Sequence, residues 1–183
     1  MHRQTNRHCY SRQGCAEKIY FKPDGSIPQV EMTSNGLSDK PLAGKGEYGA
    51  YIACNLMSGK GAGSYTNKKE DFALHPCFTQ QEEDGEKGPG TYIADISDKT
   101  VIGYKYFNLQ NTTYISLKVR GTGKGKMFIK NNLKEEPVGY INIVAENEYK
   151  MFHSKVRLPA NANMIFFIFE GSGKLDFQKF ILQ

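Results

Sequence analysis

The sequence predicts an all-β chain built around a β-sandwich of the jelly-roll kind, and three observations carry that expectation. From Thr91 to Leu182, six or seven short apolar runs follow one another with no helical stretch between them. In "TYISLKVRG", Ile115, Leu117 and Val119 alternate with Ser116, Lys118 and Arg120. That is the period of two that gives a strand one buried and one wet face; "GYINIV" repeats it with Ile141 and Ile143. The runs are separated by "GTGKGK", "NNLKEEP", "PANAN" and "EGSGK", turn chemistry at the spacing of a sandwich.

The remaining elements follow from the same signals. Residues 1–33 read as one hairpin, with a run from Ile19 to Phe21, a turn at Pro23-Asp24-Gly25 and a second run from Ile27 to Met32. A lone hairpin is marginal in water, so this segment needs neighbours. Residues 34–49, rich in Gly, Lys and Pro, read as a linker or covering loop before a domain spanning 50–183. "AYIACNLM", Ala50 to Met57, is the expected first strand of that domain. Between Ser58 and Pro89 the polar sequence predicts long loops with one short strand near Phe72 to Leu74. Loops at one end of a sandwich are where binding sites are commonly mounted.

Composition excludes several function classes. The chain has 183 residues, 39% hydrophobic and 23% charged, which is ordinary globular material. Its net charge is +5, but Lys and Arg are interleaved with Asp and Glu, so a solvated surface is expected rather than a nucleic-acid groove. The longest strongly apolar run, Met164 to Phe169, has six residues, against the roughly 20 of a spanning helix. Met1 is followed by His2, Arg3 and Gln4 rather than by the charged and apolar regions of a secretory leader. Cys9, Cys15, Cys54 and Cys77 lack CxxC or Cys/His ligand spacing, so neither a disulfide nor a metal framework is indicated. "GTGKGKM" and "GSGKLD" lack the spacing of a phosphate loop and read as hairpin turns.

"TYIADISDKTVIGYKYFNL", "YISLKVRGTGKGKMFIK", "PVGYINIVAENEYKMFHSKVRL" and "IFFIFEGSGKLDFQKFIL", in that order and spacing, resemble a carbohydrate-binding module of family 6 over Ala50 to Leu182. The opening residues resemble the closing segment of a five-bladed propeller of glycoside hydrolase family 43, the subset acting on xylan or arabinan side chains. The resemblance implies a non-catalytic module that targets xylan or arabinoxylan for an upstream glycosidase, in an extracellular or periplasmic setting. Such enzymes work by inversion with carboxylates on earlier blades, so no catalytic residue is expected in this chain. His2 resembles the histidine near the propeller's central metal; Glu17, Asp24 and Glu31 read as surface charge. Two other readings stay open, a truncated family 43 glycosidase and a spacer that binds no sugar.

Sugars present C–H faces and hydroxyl rims, so a site that grips them combines aromatic rings with hydrogen-bonding side chains. Matched to the family, Tyr92 takes the first aromatic position and Tyr149 the second, where Trp is common; this chain has no Trp. Lys174 stands where the family has an asparagine, and lysine donates to hydroxyls but cannot accept from them. Each has a structural alternative: Tyr92 closing the core edge, Tyr149 packing on Phe152, Lys174 as a solvated turn residue. The family's structural calcium site implies a Ca²⁺ held by Asp176 and a first-strand position, here Asn55, with Ala53 replacing another acid. Calcium prefers about six to eight oxygen ligands, so the set is thin.

Overall fold

A computed structural model describes residues 16–61, 74–80 and 90–183. Among the described residues thirteen strands run in order: β1 (Leu42–Ala43), β2 (Gly46–Gly49), β3 (Asn55–Met57), β4 (Cys77–Gln80), β5 (Thr91–Ile96), β6 (Thr100–Lys105), β7 (Phe107–Asn108), β8 (Tyr114–Gly121), β9 (Lys124–Lys130), β10 (Gly139–Val144), β11 (Lys150–Lys155), β12 (Met164–Ser172) and β13 (Leu175–Leu182). They form a five-stranded sheet in the order β10-β9-β12-β6-β3 and a six-stranded sheet in the order β11-β8-β13-β5-β4, with β2 also on β13; β1 and β7 make a small parallel pair.

The period-two reading places the inner faces correctly. Ile115, Leu117 and Val119 of β8, Ile141 and Ile143 of β10, and Ile165, Phe167 and Phe169 of β12 are all buried in one core. Phe180 of β13 is its aromatic hub, with ring centroids 4.7 Å from Tyr104, 5.7 Å from Phe167 and 5.4 Å from Tyr48. Truncating a buried Phe of this kind to Ala typically costs about 3–5 kcal/mol.

The structure departs from the sequence reading in several places. From Thr91 to Leu182 there are nine strands rather than six or seven. One tight turn, Ser97 to Thr100, is closed without Gly or Pro: Lys99 adopts a φ of 59° and the Thr100 N–H donates to the Ser97 carbonyl at 3.0 Å. The expected linker 34–49 contains β1 and β2, because Tyr48 seats its ring between Phe107 and Phe180 and so holds β2 against β13. The expected strand Ala50–Met57 curls into a 3-10 turn at Ala50–Ile52 before β3 begins. There the Ala50 carbonyl accepts both the buried Tyr104 hydroxyl, at 2.9 Å, and the Ala53 N–H, at 3.2 Å. The short strand expected near Phe72 to Leu74 is found at Cys77–Gln80; Leu74 lies in a turn, and Phe72 and Ala73 lie outside the described residues.

The N-terminal hairpin forms its turn but no ladder. Lys22 and Ser26 close the turn at 2.9 Å, supported by the Asp24 carboxylate, yet the flanking runs are not strands. Ile19, Tyr20, Phe21, Ile27, Val30 and Met32 are all exposed, so no apolar cover holds two strands together. The segment is tied to the sandwich at its end instead: Ser34 exchanges hydrogen bonds with the Lys105 backbone, and Glu31 accepts from Lys105 Nζ (2.6 Å) and the Tyr106 hydroxyl. Glu17 accepts from the Thr33 N–H. Cys54 is a free thiol and Cys77 is buried; Cys9, Cys15 and His2 lie outside the described residues.

Candidate functional site

The outer face of the six-stranded sheet carries one cluster built from four neighbouring strands. Residues that alternate with the core positions point outward: Tyr92 beside Ile93 on β5, Asp176 between Leu175 and Phe177 on β13, and Lys118 and Arg120 flanking Val119 on β8. Tyr149 closes the row at the entry to β11. Cross-strand pairing sets Asp176 directly opposite Arg120, and the Arg120 Nε donates to Asp176 Oδ2 at 3.0 Å. Both side chains are about a quarter exposed, so the pair is partly withdrawn from water.

Arg120 is the centre of this cluster. Its guanidinium lies 4.6 Å from the Tyr149 ring centroid and 5.3 Å from that of Tyr92, while Lys118 Nζ lies 5.7 Å from Tyr149. The two tyrosine rings meet edge to face, with centroids 6.4 Å apart and planes at 76°. They touch edge to face rather than facing each other across a slot, and the guanidinium packs against the pair from one side. The Tyr149 hydroxyl is buried with no hydrogen-bond partner among the described residues. Burial pushes its phenol well above the ordinary range. Burial likewise pushes the Asp176 carboxyl up, opposed by the Arg120 hydrogen bond.

Two interlocked hairpin turns position the polar side chains. The Thr122 N–H donates to the Lys174 carbonyl at 2.9 Å, and the Lys174 N–H donates to Thr122 Oγ1 at 3.2 Å. Such contact requires glycine: Gly173 sits at a φ of 75°, and a Cβ there would run into the Thr122 carbonyl. Lys174 Nζ is thereby carried to Asp95 Oδ1 at 2.9 Å. Beside Arg120 and Tyr149, through their chain neighbours Gly121 and Glu148, opens a groove of about 700 Å³ floored by Thr122, Lys124, Ala145 and Asn147.

The expected site residues therefore fall into two groups. Tyr92, Tyr149 and Asp176 come together, and Lys174 reaches the cluster through Asp95. Tyr92 is also part of a small buried cluster with Cys77 and Ala94, as its structural alternative anticipates. Asn55 is elsewhere: it pairs with Gly103 on the outer face of the five-stranded sheet, across the sandwich from Asp176. Asp176 and Asn55 cannot share a calcium ion, the Asp176 carboxylate is paired with Arg120, and no cluster of metal-ligating residues occurs among the described residues. Arg120 escaped the sequence reading. Its signal was its place on the wet face of β8 next to Gly121, but the pairing with Asp176, 56 residues on, is not legible in a single chain.

No family model matches this sequence. The chain is 40% identical over 187 residues to a xylosidase/arabinosidase of Thermoclostridium stercorarium, a match that takes in 99% of this chain and 38% of that protein. Among solved structures, a glycoside hydrolase family 43 arabinoxylan arabinofuranohydrolase from Bacillus subtilis, in complex with cellotetraose, matches with a TM-score of 0.61 at 15% identity. The match covers 91% of this chain and 33% of that one. A family 6 module from Clostridium stercorarium with cellobiose matches at 0.57 and 12% identity, over 80% of this chain and 98% of that chain. Another from Clostridium cellulolyticum with xylose matches at 0.57 and 13%, over 78% and 99%. The fold is that of the family 6 carbohydrate-binding modules.

Proposed function

We propose that this chain is a carbohydrate-binding module without catalytic residues of its own, which holds xylan or arabinoxylan for a glycosidase of which it forms part. The observation that carries the reading is the four-strand cluster of Tyr92, Asp176, Arg120 and Tyr149, with a groove next to it lined by the chain neighbours Gly121 and Glu148. Aromatic rings with fixed polar groups at one end of a sandwich suit a sugar's apolar face and hydroxyl rim. The similarity to a xylosidase/arabinosidase supports the choice of polysaccharide, and an extracellular or periplasmic setting is part of the same proposal.

The geometry gives the binding mode. Because the two rings meet edge to face and leave no gap for a pyranose, a sugar lies in the groove lined by their neighbours Gly121 and Glu148 rather than between Tyr92 and Tyr149. Arg120 keeps Nε on Asp176 and offers its remaining N–H groups to hydroxyls. Lys174 and Lys118 add donors at the rim. Of the carboxylates around the site, Asp95, Asp176 and the groove's Glu146 are each held by a cation, which suits positioning rather than proton transfer, and Glu148 also lines the groove. A spacer that packs on an upstream domain and binds nothing is the second reading, favoured by the exposed apolar side chains of residues 16–33.

Titration calorimetry with xylo- and arabinoxylo-oligosaccharides tests this. The expected dissociation constant is on the order of 10 µM to 1 mM, about 4–7 kcal/mol. Tyr149→Ala and Arg120→Ala should each abolish the heat signal while the protein stays folded. Unchanged affinity in either variant would move the site, and no binding by the parent chain would favour the spacer.

A further inference from the structure

A second, separate concavity lies where the edges of the two sheets meet. Strands β10 and β11, the edge strands of the two sheets, run side by side there, and a cleft of about 380 Å³ is lined by Gly139, Tyr140, Asn142, His153, Ser154 and Lys155. It sits at the far end of β11 from Tyr149, about 17 Å away at roughly 3.3 Å per residue. Gly139 allows the strands to approach: a Cβ there would press on the Lys155 carbonyl at 3.2 Å.

The lining holds no ion pair, unlike the first site, and His153 packs on the Tyr114 ring with centroids 5.3 Å apart. Tyr140 is 45% exposed, which is unusual for a large ring that also packs on Phe128 at 6.1 Å. Asn142 follows two residues on along the same face of β10, about 6.7 Å away. Among the described residues, the side chains of Asn142, His153 and Lys155 have no hydrogen-bond or ion-pair partner. Lys105, Lys174 and Lys179 are each paired with a carboxylate, whereas Lys155, like several other surface lysines, has no ion pair among the described residues. Lys126 sits 4.5 Å from the Tyr140 ring centroid, again without an ion pair, and no acidic residue lines the cleft.

We propose that this seam is a second sugar-binding site and that its ligand is an oligosaccharide bearing a carboxylate, a uronic acid substituent in particular. The Tyr140 ring, with Lys126 over one face, offers its remaining exposed surface to a pyranose, and the Asn142 amide supplies a donor and an acceptor for rim hydroxyls. Lys155 and Lys126 supply the unpaired positive charge that an acidic sugar answers and a neutral one does not. The proposal extends the carbohydrate-binding reading but stands on different residues, so each can fail without the other.

The test uses the full chain with two probes, a xylo-oligosaccharide carrying one glucuronic acid and the same oligosaccharide without it. Backbone amide shifts followed by NMR should move at Tyr140, Asn142 and His153 with the acidic probe and stay still there with the neutral one. Tyr140→Ala and Lys155→Ala should each weaken binding of the acidic probe at the seam about tenfold or more, whereas Tyr149→Ala leaves it unchanged. Raising the salt should weaken it further, since exposed charges are screened. Equal seam shifts with both probes, no seam shifts with the acidic one, or full seam binding in Tyr140→Ala at an unchanged melting temperature would overturn the proposal. Loss of all neutral binding with seam shifts intact would sink the first site alone.

Discussion

Replacing Tyr149 by Phe isolates one atom whose cost and use pull in opposite directions. The hydroxyl is buried without a partner among the described residues, and a buried polar group left unpaired costs about 1–3 kcal/mol. Phenylalanine keeps the ring, and with it the edge contact to Tyr92 and the Arg120 guanidinium on its face. The variant should therefore be more stable than the parent, by about 1 kcal/mol, which for a chain of this size raises the melting temperature about 2–4 °C. A sugar that enters the neighbouring groove and displaces the side chains covering that hydroxyl would satisfy it. Losing it should weaken binding by about 1 kcal/mol, roughly five- to tenfold. Calorimetric melting and oligosaccharide titration on the same preparation read both quantities. A lower melting temperature would mean that the hydroxyl is already paired; a higher one with unchanged affinity would mean that it does not face the ligand.

Gly173→Ala should destabilise by about 1–3 kcal/mol, because it combines a φ of 75° with a collision against the Thr122 carbonyl, whereas Gly25→Ala, at a φ of 81° in open space, should cost less; urea titration of the pair checks the contrast. Glu31 is held below its ordinary pKa of 4.5, first by the Lys105 hydrogen bond and then by that of Tyr106. Its tie to the sandwich is thus present above about pH 4.5 and lost as the pH falls through the lower folded value, so an acid-active protease should cut before Ser34 faster at pH 3 than at pH 5, and equal rates would count against the tie. Asp176→Asn should leave any response of the melting temperature to calcium or chelator unchanged, since that carboxylate answers Arg120.

The sandwich was legible wherever one strand's own pattern decides the outcome. Ile115, Leu117 and Val119 must share a face whatever they pair with, and so must Ile141 and Ile143. Elements whose state depends on distant partners were not legible. Gly46–Gly49 reads as a loop until Phe107 and Phe180 supply a seat for Tyr48. Ala50–Ile52 reads as strand until the Tyr104 hydroxyl claims the Ala50 carbonyl. The site divides in the same way. Resemblance singled out Tyr92 and Tyr149 for sugar and Asp176 for calcium, but not the arginine that joins them, because β8, β13 and β5 meet only in three dimensions. Asn55 was misplaced for the converse reason, a sequence position whose strand lies in the opposite sheet.

The central claim, that sugar binds beside Arg120 and Tyr149, is tested most directly by mapping amide shifts of the isotope-labelled chain during titration with neutral xylo-oligosaccharide. Shifts should be largest at Arg120, Gly121, Thr122, Asn147, Glu148 and Tyr149, with smaller ones at Lys174, and should saturate as one binding event at that site. Saturating shifts confined to other residues, or none at millimolar sugar, would contradict it.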